Sequence, residues 1–339
     1  MLQRGPLTAA LVVAFSVVLC SCKRVAEPIG EPPAAAAAAR PSAASASASA
    51  PTPPLHAPTQ LLTLPSSAYQ AALFADDQAI ELLTNNAAYR LEPGKEPVSR
   101  SIDLGSAATI TRKSYVYWSQ GAIWSEPRRA AGARAKLGAL AERPQRIVAD
   151  IGADELALLT HSAGDRYAIQ RLENGRLKTL YASAGSIDAL TMVGGALYFV
   201  ERPSNADWRV GRVTLSGGNA TFTSSKSGRW PALLRGQKEL IYYDGARRDV
   251  LSLSLDLQQE HTLAKDFICS PLAVGPSANV YCSTMEGVFE LSATGTARQV
   301  VSAPRQQITN LAINAAQVAF ITDAGGQGQD RLAVFAVPR

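Results

Sequence analysis

Beyond Thr59 the chain is a succession of short apolar or alternating runs, each broken by Gly, Asn, Asp, Ser or Pro. A period of two places every second side chain on one face, so the pattern predicts many short β-strands. One run recurs: "AIELL" at Ile80, "VYW" at Val116, "LALL" at Leu156, "LYFV" at Leu197, "IYY" at Ile241, "VYC" at Val280 and "VAFI" at Val318. Successive copies lie 36, 40, 41, 44, 39 and 38 residues apart. Seven units of about 40 residues match the period of stacked supersecondary repeats.

The same order returns inside each unit. The recurring run is followed by a second ("WRVGRVTL", "DVLSLSL", "RLAVFAV"), a turn ("ENGR", "LSGGN", "ATGTA"), a third run ("LKTLYA", "HTLA", "RQVVS") and a fourth ("IDALTMV", "ITNLAIN"). Four strands per unit of about 40 residues is the blade of a β-propeller, in which radial repetition leaves only short edges. The expected fold is all-β, a seven-bladed β-propeller, with six or eight blades as the neighbouring counts. The ends fit a ring: "RLAVFAV" leaves the last unit without an outer strand, and Gln60 to Leu64 offers a spare one ahead of a first inner strand near Tyr69. Joining them removes the last exposed edge. A pair of two-sheet sandwiches would show no such fixed period. Phrases such as "GGALYFVERPSNADWRVGRVTLSGGNATF" resemble the TolB-like, YncE-like and related bacterial propeller repeats. The resemblance spans nearly all of residues 59–339 and implies a scaffold, but those families share no single task, so it implies no activity.

The first residues differ. The apolar run from Leu7 to Leu19 follows Arg4 and is 13 residues long, whereas a spanning helix needs about 20. It predicts the h-region of a secretory signal. "Leu19-Cys20-Ser21-Cys22" then resembles the lipobox of bacterial lipoproteins, with Leu at −3 and Ser at −1 relative to Cys22; Cys20 fits less well, because Leu19 would occupy −1. The resemblance implies a signal peptide over residues 1–21 and lipidation of Cys22 with acyl chains such as palmitate. Several acyl chains on one residue anchor a protein stably. The competing reading is an ordinary secretory signal with an incidental Cys pair. Lys23 after the cysteine is compatible with the outer membrane. Residues 25–58 contain 25 Ala, Pro or Ser among 34, too little apolar bulk to offset ordering entropy, and predict a disordered tether over residues 22–58 that includes His56. In extended form it reaches on the order of 100 Å. The propeller is expected over residues 59–339.

Composition adds limits. With 47% apolar and 18% charged residues the chain can bury a large core. Candidate chemistry is sparse: three histidines, of which His161 and His261 are expected in solvated loops, and no nucleophile elbow, paired-His zinc motif or phosphate loop. No cofactor and no metal site are expected; "DAGGQGQD" lacks the ligand spacing of a calcium loop and reads as a hairpin connection. Asp150 and Asp188 are the inner-strand carboxylates an enzyme such as a lactonase or lyase would need, and they are too few. Cys269 and Cys282 flank a turn that brings them opposite or diagonal, which in an exported compartment favours a disulfide over two buried thiols. Tyr117, Tyr198, Tyr242 and Tyr281 recur at one position of successive runs and are expected between blades, with their hydroxyls at a polar rim.

Arginine and tryptophan, the residues enriched at binding hot spots, gather near the connections of one propeller end. Arg143, Arg146, Arg229, Trp230 and Arg305 precede inner strands, and Trp118, Arg166, Trp208, Arg247 and Arg248 stand near the turns between second and third strands. A chain of net charge +5 has arginine over its surface generally, so the bland reading is a solvated basic face. The functional expectation is a membrane-anchored, non-enzymatic binding or scaffolding module that offers this face to a protein partner of the cell envelope. The alternative is recognition of a small anionic molecule or glycan at the channel mouth. Nucleic acid is not an expected partner of an exported lipoprotein.

Overall fold

The computed structural model describes residues 54–64, 72–102, 107–129, 132–150, 155–162, 166–203, 207–227, 233–235, 238–292, 295–323 and 329–337. The chain divides into two units, of which Thr52–Arg339 is the one described. It consists of seven antiparallel sheets of four main strands each, a seven-bladed β-propeller. Blade by blade, the inner strands are Ala72–Ala75, Ala108–Ile110, Arg146–Asp150, Ser186–Val193, Leu233–Arg235, Leu272–Val274 and Gln307–Ile313. Inner strands of consecutive blades adjoin from blade two to blade seven, and the last adjoins the first; blades one and two meet through their shared apolar slab, which closes the ring. All seven recurring runs fall on second strands, from Ile80–Leu83 in blade one to Gln317–Asp323 in blade seven. The first inner strand begins at Ala72, while Tyr69 lies outside the described residues.

Closure follows the expected arithmetic. Gln60–Thr63 pairs antiparallel with Arg331–Ala336, Gln60 opposite Val334 and Thr63 opposite Arg331, and becomes the outer strand of blade seven. Ahead of it, Leu55 crosses from blade six: its amide donates to the Val300 carbonyl at 2.9 Å and its carbonyl accepts from the Ser302 amide at 2.9 Å. The final residues of the expected tether therefore lie against the propeller, while His56 itself is exposed.

The core is a ring of seven slabs, one at each blade junction. Because side chains alternate, every interior sheet has two apolar faces, and each face packs against the next blade. Leu83, Ile110 and Tyr117 fill the junction of blades one and two, Leu159, Leu190 and Phe199 that of three and four, and Leu64, Leu82 and Leu332 the closing junction of seven and one. Outer strands in blades two, three, five and six each skip one residue in register: Leu137, Leu180, Leu263 and Val300. Such a bulge bends and twists the strand, and each skipped apolar residue tucks against the adjacent slab.

The four tyrosines do pack between blades, but not on one face. Tyr117 and Tyr242 point toward the preceding blade, Tyr198 and Tyr281 toward the following one. A one-residue difference in register flips a strand's faces, so an equal place in the recurring run does not mean an equal face. Cys269 and Cys282 form a disulfide with Cα atoms 5.5 Å apart. Cys282 is opposite Leu272; Cys269 stands ahead of the inner strand, in the connection from blade five, and both sulfurs sit in the slab between blades five and six.

Polar groups lock the same junctions. Among the described residues, five carboxylates each accept a tyrosine hydroxyl and a cationic side chain. Glu81 takes Tyr115 at 2.7 Å, Arg90 at 2.5 Å and Arg128 at 2.9 Å. Glu126 takes Tyr117 and Arg100, Glu201 takes Tyr181 and Arg209, Glu260 takes Tyr242 and Lys226, and Glu290 takes Tyr281 and Arg298. The first four of these bridges cross a blade junction; the fifth lies within blade six. At Glu201 burial alone would raise the carboxyl pKa, but hydrogen bonds from Ser183, Tyr181 and Arg209 hold it below the ordinary range. Burial, the bond to Glu201 and that carboxylate's charge push Tyr181 up to about 12.

A depressed carboxyl contributes stability above its unfolded value of about 4.3 and loses it as pH falls through the folded value; a raised phenol contributes below about 10 and loses it above. Urea denaturation should therefore show wild-type stability steady near neutrality and falling below about pH 4.3. Glu201→Gln should cost about 1–3 kcal/mol at pH 7 and flatten part of the acid limb. Equal acid slopes in both proteins would remove Glu201 from this role.

Candidate functional site

Inner strands run away from the end of the disc that carries the outer-to-inner connections and the turns between second and third strands. On this end Arg143 precedes the inner strand of blade three and is exposed, and Arg166 opens the third strand of that blade, Arg166–Glu173, and is exposed. Arg305 lies between blades six and seven, exposed, with φ at +62°. None of these three makes an ion pair with the described residues. Arg247 and Arg248 form the turn of blade five and are half exposed, but they are paired, Arg247 with Asp249 at 2.9 Å and Arg248 with Asp266 at 3.8 Å.

Arg146 opens its inner strand on the face it shares with Val148, which packs toward blade four. There a bulge leaves Asp188 without a register partner between Ile187 and Ala189. Asp188 instead pairs with Arg202 at 2.5 Å. The Arg146 guanidinium keeps solvent contact while neighbours crowd it. Burial lowers its pKa, and the charge of Asp188 works the other way.

The described tryptophans are less open than these arginines. Trp118 is half-buried, its indole N–H donating to the Leu140 carbonyl at 2.9 Å. Trp208 is a correction: it is fully buried, edge-on to Tyr242 at 5.8 Å between ring centres. The reason is register, since Trp208 and Val210 alternate on the inward face of Asp207–Thr214. Arg229 and Trp230 lie outside the described residues, as does most of "DAGGQGQD". Both histidines lie in strands and not in loops: His161 is within Glu155–Ser162, its ring 4.4 Å from Tyr167, whereas His261, in Glu260–Ala264, is solvent-exposed as expected. Asp150 is buried. Among the described residues no group of three or more His, Cys, Asp or Glu is arranged to hold a metal ion.

Between blades six and seven the same end opens into a cleft of about 830 Å³, lined by Arg305, Arg331, Met285, Leu61, Phe320 and Phe335 among others. Arg305 had a sequence signal. Met285, Leu61 and Arg331 had none, because three distant segments must meet to form the cleft.

No protein-family model and no curated protein matches the chain. Solved structures do. An oligogalacturonate lyase in complex with manganese is 13% identical, with a TM-score of 0.57 over 82% of this chain and 91% of that one. An oligogalacturonate lyase from Vibrio parahaemolyticus is 11% identical, with 0.61 over 83% and 92%. The β-propeller domain of Cps50 (Swd1) from Myceliophteria thermophila is 10% identical, with 0.61 over 83% and 99%. At these identities the likeness is one of fold, and that fold carries lyases and other propellers alike.

If Trp208 is core, Trp208→Ala should lower unfolding free energy by about 3–5 kcal/mol in urea titration. A loss under 1 kcal/mol, on the order of a surface change, would return it to the face.

Proposed function

We propose that the chain is an exported, lipid-anchored binding module that presents the arginine-bearing end of its propeller to a protein partner in the bacterial cell envelope. The observation that carries this is Arg143, Arg166 and Arg305, exposed on connections of one end and free of ion pairs with the described residues. Rigid strands hold those connections, so little ordering is needed when a guanidinium meets a carboxylate in two parallel hydrogen bonds. The lipobox-like Cys22 and the Ala/Pro/Ser tether support the location. A second reading has one specific observation behind it: Arg146, exposed where the inner strand of blade three begins, suits a small anion or an acidic glycan.

Capture from envelope extracts with the full chain tests the first reading. The triple variant Arg143→Ala/Arg166→Ala/Arg305→Ala should recover about tenfold less partner, and Arg176→Ala, exposed at the opposite end, should match wild type. Equal recovery by all three proteins would sink the nominated end. For the anchor, a palmitate analogue fed to cells should label wild type and leave Cys22→Ala unlabelled; label surviving in the variant would overturn lipidation there.

A further inference from the structure

Four large apolar side chains are strongly exposed among the described residues, and two of them, Met285 at 64% and Leu61 at 56%, both line the cleft between blades six and seven. We infer that this cleft is the docking groove for an extended segment of the partner polypeptide that carries an apolar side chain beside an acidic one. The inference rests on the protein-partner reading above.

The groove is built from fixed parts. Its floor is Phe320 and Phe335, stacked with centres 5.4 Å apart and almost fully buried. One wall is the crossing segment around His56 and Pro58, fastened by Leu55 to Val300 and Ser302, and by the Thr59 amide to the Val334 carbonyl at 2.7 Å. The opposite lip is the turn that carries Met285. It lies hard against the outer strand because Gly287 has φ at +140°, where a Cβ would fall 2.0 Å from the Val301 carbonyl oxygen. Arg305 is pinned to that turn, its amide donating to the Met285 carbonyl at 2.8 Å, and its left-handed backbone persists only where neighbours determine it.

Size and charge select the occupant. About 830 Å³ is the scale of a site for a small ligand or a few side chains, and no domain would enter it. Two guanidiniums, Arg305 and Arg331, face one lining carboxylate, Asp323, so an acidic residue is favoured and a basic one is not. Met285 and Leu61 offer an adaptable apolar grip, a common use of exposed methionine. A second copy of this chain, at net charge +5, would bring cations to cations.

The test uses the full chain and two fluorescein-labelled decapeptide pools, one mixing Asp/Glu with Leu/Ile/Met/Phe, the other Asp/Glu with Ser/Gly. Anisotropy should show the acidic-aliphatic pool bound. Met285→Ser, Leu61→Ser and Arg305→Gln should each weaken it about tenfold, while Arg176→Gln, exposed at the opposite end, should not. Met285 and Leu61 are exposed, so their variants should melt as wild type does. No binding by either pool, equal binding of the Ser/Gly pool, or undiminished binding by both Met285→Ser and Leu61→Ser would overturn the groove. So would sedimentation that finds a dimer broken by Met285→Ser. Should the triple arginine variant lose the captured partner while Met285→Ser retains it, the groove falls and the end-face reading stands; if neither loses it, both fall.

Discussion

A radial sheet with two apolar faces cannot bury either one alone, and every other feature of this protein answers to that constraint. Each blade depends on two neighbours, so the stack has no stable end until the last blade meets the first. The meeting is made by Gln60–Thr63 on Arg331–Ala336, where Thr59 and Val334 stand 275 positions apart in sequence. Closing so long a loop costs entropy that grows only slowly with length. Against it the ring gains a buried slab, with Leu64, Leu332 and Val334 packed under the seam, and loses its last open edge. The closing strand completes the packing of both blades it joins.

Apolar slabs alone do not fix how far one blade slides along the next, because burial is not directional. The tyrosine–carboxylate–cation bridges are. A buried carboxylate is costly unless its oxygens are met, and Glu201 is met by Tyr181 and Ser183 of blade three and by Arg209 of blade four. Any slip of one blade would leave that charge unpaired, which is costly in a buried site, so the bridges oppose sliding where the slabs do not. At the junction of blades one and two the device is doubled, with Glu81 and Glu126 each spanning it.

The architecture was legible because the repeat is written in short-range pattern: seven runs at a near-constant spacing, and a spare strand at one end where the other lacks one. What depended on register was less legible. "VYW", "LYFV", "IYY" and "VYC" align by composition, yet Tyr117 and Tyr198 face opposite ways, since alternation records only parity within a strand. Trp208 sits in a run whose burial alternates from Asp207 to Val210, so the strand pattern carried the answer that a count of tryptophans near turns did not. The bridges had no signal at all: Tyr115 and Glu81 are 34 residues apart, Tyr181 and Glu201 20, and nothing local pairs them. The arginine end was legible as a placement, because strand order decides which connections share an end.

The segment from Leu55 to Thr63 ties these strands of the molecule together. It hydrogen-bonds the edge of blade six at Val300, where a bulge has already turned the strand. It then walls the cleft with His56, Pro58 and Leu61, and ends as the outer strand of blade seven. Closure, cleft and the way toward the amino terminus therefore share one run of backbone. A shift there cannot be confined to the surface, since moving Leu61 moves the strand in which Leu62 alternates inward against the closing slab. The cleft therefore borders the seam that holds the ring shut, because the same backbone forms its wall and the closing strand.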